Sequence, residues 1–390
     1  MLSPCQPHPL ALEEPQEPPN PQDPKEESPD QSLAKIPYRI FEGHTDAVTS
    51  CQFCFDNTKF LTCSFDKTAR LWDVASGTTV QVYEGDISQP LSECCLSPDG
   101  KRLFTSSWDR TLKAWDVETG KVIWSVQMGS LVTCCDVSQD GKLVVSGSDL
   151  DNSVLISHAQ TGAKIVYLRE HHQGSVMSCC FDPEIHHVAT SSCDKTVLIW
   201  DLVAQKTTIT LKKHSSVVSD CCFSHKLNSL CTASWDKTLQ LWDIKTGEYR
   251  TRGPISFIDG HDGCISSCVF SHDGSLIVAG AYDKTISIWD SARAYRKLFL
   301  KGHKDWVMDV DLSSDSKWIL SGCKDATLRM WNIERINSVA IVNIEDKEKG
   351  MRVIQCKQCR RNFSIFQLDL GAPVLCVFCR LGMLSSPPEP

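Results

Sequence analysis

The stretch His214–Asp243, HSSVVSDCCFSHKLNSLCTASWDKTLQLWD, carries the pattern that decides the fold. Within it Val217 to Phe223, Leu230 to Ala233 and Thr238 to Trp242 alternate apolar and polar residues with a period of two, separated by turn residues, which is the signature of short half-buried strands joined as hairpins. Asp236 stands six residues before Trp242, and Thr238 follows it by two. The same punctuation recurs along the chain. Tryptophan followed by Asp or Asn appears at Trp72, Trp115, Trp200, Trp242, Trp289 and Trp331, at intervals of 43, 85, 42, 47 and 42 residues. The interval of 85 is two periods with one tryptophan missing, and Ser157 stands in the vacant place, so the repeats number seven. Six residues before the tryptophan position lies Asp66, Asp109, Asp151, Asp194, Asp236, Asp283 or Asp325. Roughly thirty residues before it, five repeats carry a histidine: His44, His172, His214, His261 and His303. Turn signals every 8 to 12 residues predict four antiparallel strands per repeat.

A period of 40 to 45 residues, opening on Gly-His and closing on Trp-Asp, resembles the WD40 repeat, the four-stranded blade of a β-propeller. The resemblance covers residues 36–343 and implies an all-β, seven-bladed propeller. It further implies that histidine, turn aspartate, a strand Ser or Thr and tryptophan form one hydrogen-bonded network inside a blade. The sets would be His44, Asp66 and Trp72; His172, Asp194 and Trp200; His214, Asp236 and Trp242; His261, Asp283 and Trp289; and His303, Asp325 and Trp331. A buried polar chain rigidifies when every member is satisfied, so these pairs are expected to be structural although they look like acid-base pairs. Two repeats depart from the pattern. The second has Gly85-Asp86 for Gly-His, and the third has Met128 near the histidine position and Ser157 for tryptophan; blade three is expected to be the least rigid. The family closes its ring with an N-terminal strand, and Tyr38-Arg39-Ile40-Phe41 lies where that strand must be.

In the family, the residue before each turn aspartate sits on the narrow top face. Here that ring reads Phe65, Trp108, Leu150, Cys193, Trp235, Tyr282 and Lys324, with Trp306 expected on the same rim. Turns favour small polar residues, so this aromatic cluster points to a binding face for a peptide or partner protein; packing against neighbouring loops is the alternative. The longer connection before Gly260-His261, which includes Gly253-Pro254, is expected to project on the same face.

Outside the repeats the composition changes. Residues 1–35 are rich in Pro, Glu, Asp and Gln and lack apolar periodicity, which predicts a disordered acidic tail. A charged linker, 344–355, precedes residues 356–380, where Cys356-Lys-Gln-Cys359 and Cys376-Val-Phe-Cys379 are separated by sixteen residues. That spacing matches a zinc-ribbon-like module holding one structural zinc on four thiolates, and so short a segment needs the metal to fold. Residues 381–390 form a second tail. Seventeen of the 21 cysteines lie before residue 330, many as adjacent pairs within apolar runs, where cysteine serves as a small buried hydrophobe.

The formal charge of −8 argues against a broad electrostatic grip on nucleic acid. No stretch is long and apolar enough to span a membrane, and no secretory signal opens the chain, so an intracellular location, cytoplasmic or nuclear, is expected. There is no P-loop, G-x-S-x-G elbow or H-E-x-x-H helix. The function expected is therefore a non-enzymatic interaction scaffold. Two other readings stay open. One is a substrate receptor of a cullin-type ubiquitin ligase, for which Trp242-Asp243-Ile244-Lys245 is the nearest approach to the family's Trp-Asp-x-Arg. The other is an RNA-associated adaptor using Arg360 and Arg361 beside the zinc module.

Overall fold

The computed structural model describes residues 36–336, except 86, 170, 225, 227–228, 245–249, 251–252 and 259, together with the backbone of 352–355 and 362–365. The acidic tail and all four cysteines of the C-terminal knuckles lie outside the described residues. Seven four-stranded antiparallel sheets succeed one another along the chain, one per repeat. In blade one the strands are Val48–Cys54, Lys59–Ser64, Ala69–Asp73 and Thr79–Tyr83, hydrogen-bonded in that order from the innermost outward. The seventh sheet takes its outer strand from the other end of the chain. Tyr38–Phe41 pairs with Leu328–Asn332, Tyr38 opposite Trp331 and Phe41 opposite Leu328. The ring is thereby closed by strand pairing between the two ends of the propeller.

Apolar packing runs between blades as well as within them. Trp115 of blade two joins Leu61, Leu71 and Tyr83 of blade one in one buried cluster, and Trp242 and Trp289 join the blades before their own in the same way. Trp72 packs with Leu320, Leu328 and Met330 of blade seven, which closes the circle of contacts. Between blades two and three the tryptophan is missing, and Trp124, from the outer strand of blade two, packs into that cluster with Phe104, Val144 and Ala159. Its indole N–H donates to the Ala159 carbonyl at 3.1 Å.

The innermost strand of each blade is an edge, and its N–H groups need acceptors. Side chains of the preceding blade supply them. Glu93 accepts from Cys135 N at 2.9 Å, Asp136 from Phe181 N at 2.9 Å, and Asp220 from Cys268 N at 2.8 Å. Asp309 and Asp311 of blade seven accept from Cys51 N and Phe53 N at 2.8 and 2.6 Å. Burial pushes these carboxyls up, Asp136 and Asp220 to about 6 and Asp311 to about 7. The sixteen cysteines among the described residues are free thiols and mostly buried.

Candidate functional site: blade networks and the top rim

Each turn aspartate sits between the second and third strands of its blade. In blade one Asp66 Oδ1 accepts from both the N–H and the hydroxyl of Thr68, at 2.9 and 2.7 Å. Lys67, the residue between them, has a φ of 70°, and the equivalent Arg110, Lys195, Lys237 and Lys284 lie within two degrees of it. A non-glycine residue is strained there; the aspartate's bonds across the turn hold it in place.

From this turn the network reaches inward. His44 Nδ1 meets Asp66 Oδ2 at 2.7 Å, His44 Nε2 meets Thr62 Oγ1 at 2.7 Å, and Trp72 Nε1 donates to the same hydroxyl at 2.9 Å. Blade five repeats this with His214, Asp236, Thr232 and Trp242 at 2.9, 2.8 and 3.1 Å. Blade six reaches the same end with a different residue. Ala279 occupies the second-strand position, and Ser287, directly opposite it on the third strand, takes His261 Nε2 at 2.7 Å and Trp289 Nε1 at 2.8 Å. His261 Nδ1 meets Asp283 at 3.0 Å.

Two of the expected sets are incomplete. In blade four His172 bonds Asp194 and Thr190, both at 2.9 Å, but the Trp200 indole N–H has no partner; Trp200 instead packs edge-on against the His171 ring at 5.9 Å. In blade seven His303 Nε2 and Trp331 Nε1 share Ser321 Oγ at 2.7 and 3.0 Å, yet His303 Nδ1 is buried without a partner and does not reach Asp325. The two blades without histidine recruit substitutes. Lys113, buried on the third strand of blade two, sets its ammonium 3.6 Å from Asp109. In blade three Tyr167 donates its hydroxyl to Asp151 at 2.9 Å, while Ser146 faces the Met128 sulfur at 3.3 Å and Ser157 Oγ has no partner. Neither Lys113 nor Tyr167 was singled out by sequence reasoning; a cationic or phenolic residue reaching the turn aspartate of a blade without histidine is the signal that would have found them.

These contacts hold the turn aspartates ionised. Burial opposes ionisation of Asp66, but hydrogen bonds from His44 and Thr68 outweigh it and set the carboxyl well below the usual range; Asp194 and Asp236 follow suit.

Just before the turn aspartates, the rim carries two aromatic groups. Phe65 and Trp108 face each other at 5.0 Å across blades one and two. Trp235, Tyr282 and Trp306 form a run over blades five to seven, with ring separations of 6.4 and 4.8 Å, the last pair stacked at 26°. Lys324 Nζ lies 3.8 Å over the Trp306 ring. The rings thus pack on neighbouring rings, but Trp108 and Trp306 remain 38% and 40% exposed, and Leu150 80%.

The WD40 family model, described as WD domain, G-beta repeat, matches residues 35–73, 77–116, 122–156, 163–201, 205–243, 252–290 and 295–332, one segment per blade. The chain belongs to the WD40 repeat family. WD repeat-containing protein 88 of Homo sapiens is 54% identical over 361 residues, which span 92% of this chain and 76% of that protein. Target of rapamycin complex subunit wat1 of Schizosaccharomyces pombe is 28% identical over 179 residues, 43% of this chain and 54% of that protein. A third, the small ribosomal subunit protein RACK1 of Saccharomyces cerevisiae, is 48% identical over 46 residues, 12% of this chain and 14% of that protein. WD40 propellers generally bind proteins and are generally not catalytic.

One expectation about the WD40 face needs correction. The long connection of blade five falls at 244–254, between its third strand Leu239–Asp243 and its outer strand Ile255–Phe257. Antiparallel strands alternate direction, so Asp243 and Ile255, which flank this connection, lie at the end of the blade opposite Asp236; most residues between them lie outside the described residues. Lys245 of the ligase-like motif, and Arg360 and Arg361, lie outside the described residues, as do Cys356, Cys359, Cys376 and Cys379. The strands Arg352–Gln355 and Asn362–Ile365 pair antiparallel and bracket the first knuckle in sequence.

Proposed function

We propose that this WD40 propeller is a non-catalytic scaffold that holds a peptide or partner protein on its top rim, with Phe65, Trp108, Trp235, Tyr282 and Trp306 as the contact residues. The observation that carries the reading is the Trp235–Tyr282–Trp306 run capped by Lys324. Rings already ordered against one another lose little conformational freedom on binding, and aromatic side chains at a concave centre dominate interface energetics. Two relatives carry names of complex subunits, which supports a role within an assembly. We further propose that Cys356, Cys359, Cys376 and Cys379 hold one structural zinc, a reading supported by their spacing and by the hairpin bracketing the first pair. A second contact on one chain raises avidity when both engage the same complex. The free thiols suit a reducing, intracellular compartment.

The test compares proteins co-purifying with the full chain and with a Trp108→Ala, Trp306→Ala variant of unchanged melting temperature. Loss of a partner from the variant alone supports the rim. An unchanged partner set overturns it and directs attention to the C-terminal module, whose metal content mass spectrometry of the native chain measures directly.

A further inference from the structure

Blade seven breaks its network at one point. In blades one, four, five and six the histidine Nδ1 meets the turn aspartate at 2.7, 2.9, 2.9 and 3.0 Å. His303, 7% exposed and held by Ser321 through Nε2, has a buried Nδ1 with no partner. Blade seven also differs from four other blades at the residue two before the aspartate. Ser64, Ser107, Ser192 and Ser234 occupy that place in blades one, two, four and five, each accepting the aspartate's own N–H at 3.0 or 3.1 Å. Blade seven has Cys323, fully buried, whose thiol donates to the Asp305 carbonyl at 3.3 Å. A ring nitrogen of His303, the Cys323 sulfur and an Asp325 oxygen all lie within 4.8 Å of one another.

We propose that His303, Cys323 and Asp325 form a binding site for a single borderline-soft divalent cation of the zinc class. The donor set is one nitrogen, one sulfur and one oxygen, which selects zinc-like ions over calcium or magnesium. Zinc bonds of 2.0–2.3 Å place tetrahedral ligands about 3.3–3.7 Å apart, so closure needs side-chain movement on the order of 1 Å. The fourth position is left for water. Ser321 fixes the imidazole through Nε2 and leaves Nδ1 as the donor, the usual outer partner of a metal-bound histidine. Binding expels the thiol proton to solvent, and thiolate and carboxylate then cancel the ion's two charges. The Arg329 guanidinium, packed over the Tyr38 and Trp331 rings with Nε and Nη1 buried and without hydrogen-bond partners, keeps its own positive charge near His303. A Cys-His-Asp nucleophile is the other chemistry of these residue types. It fails here because Cys323 is fully buried, out of reach of a substrate.

The experiment uses the full chain with Cys356, Cys359, Cys376 and Cys379 replaced by serine, so that the C-terminal thiolates cannot contribute. Cobalt(II) is added as the probe, and its thiolate charge-transfer and tetrahedral bands are followed. The bands are expected to saturate at one cobalt per chain and to disappear in the added variant Cys323→Ser. That change installs the residue four other blades carry at this place, so the blade should fold; Asp325→Asn, which keeps the turn, should weaken binding at least ten-fold. Zinc should displace the cobalt and raise the melting temperature of the parent but not of Cys323→Ser. Absence of the charge-transfer band, or a band that survives Cys323→Ser, overturns the proposal.

Discussion

In blade five one hydroxyl, Thr232 Oγ1, serves both His214 and Trp242. In blade three the corresponding Ser146 faces a methionine sulfur, Ser157 Oγ is buried without a partner, and the turn aspartate is held by Tyr167 instead. The two blades keep the same four-stranded antiparallel order. The difference teaches that the β-sheet and the inter-blade packing carry the architecture, whereas the polar network is a local reinforcement that the chain rebuilds from other side chains. Trp124 makes the point for packing as Tyr167 does for polarity.

If that is right, the same chemical deletion should cost more in blade five than in blade three. Trp242→Ala removes a buried ring and its hydrogen bond and should cost about 3–5 kcal/mol, while Trp124→Ala, at a half-buried surrogate, should cost about 1–3 kcal/mol. Chemical denaturation of the two variants checks the order, and equal losses would break the comparison. Thr232→Val keeps the shape but leaves two buried ring nitrogens, His214 Nε2 and Trp242 Nε1, without a partner, for a loss of about 2–4 kcal/mol. Its readout is the same denaturation midpoint.

Stability should also pass through a maximum with pH. Asp66, Asp194 and Asp236 have depressed carboxyl pKa values, so their contribution is present above about pH 4 and lost as pH falls below it. Asp136, Asp220 and Asp311 are raised, so theirs is present below about pH 4 and lost as pH rises through 6 to 7. Melting temperature measured from pH 3 to 8 should therefore peak near pH 4, and Asp311→Asn should flatten the alkaline side alone. The smallest effect belongs to blade three. Ser157→Ala removes an unsatisfied buried hydroxyl and should leave stability unchanged or raise it by up to about 1 kcal/mol.

Most of the architecture was legible in the sequence because a repeat states each structural requirement seven times. The tryptophan spacing, the turn aspartates and the strand before Gly43-His44 gave blade number, strand order and ring closure. What escaped depends on contacts between positions that vary from blade to blade. Ser287 replaces a second-strand hydroxyl only because it lies across from Ala279, a register fact. The carboxylates that cap the next blade's inner strand do share register, Glu93, Asp220 and Asp309 at one inner-strand position and Asp136 and Asp311 two residues further on, but their role depends on the neighbouring blade's strand lying beside them. That the extra residues fall between the third and outer strands of blade five was hidden by counting between tryptophans rather than between strands. The rim residues were located from the turn pattern, but their grouping into a pair and a run depends on inter-blade distances that no spacing reveals.

Ring closure by Tyr38–Phe41 also sets a timetable for synthesis. This strand is among the first of the propeller to leave the ribosome, yet its partner Leu328–Asn332 is among the last. At roughly 5–20 residues per second the wait is on the order of 15–60 s. Throughout it an exposed strand with Tyr38 and Ile40 has no edge to pair with, and the nascent propeller remains an open arc. Any factor that shelters this tetrapeptide during translation would govern the yield of closed rings without altering the stability of a finished one.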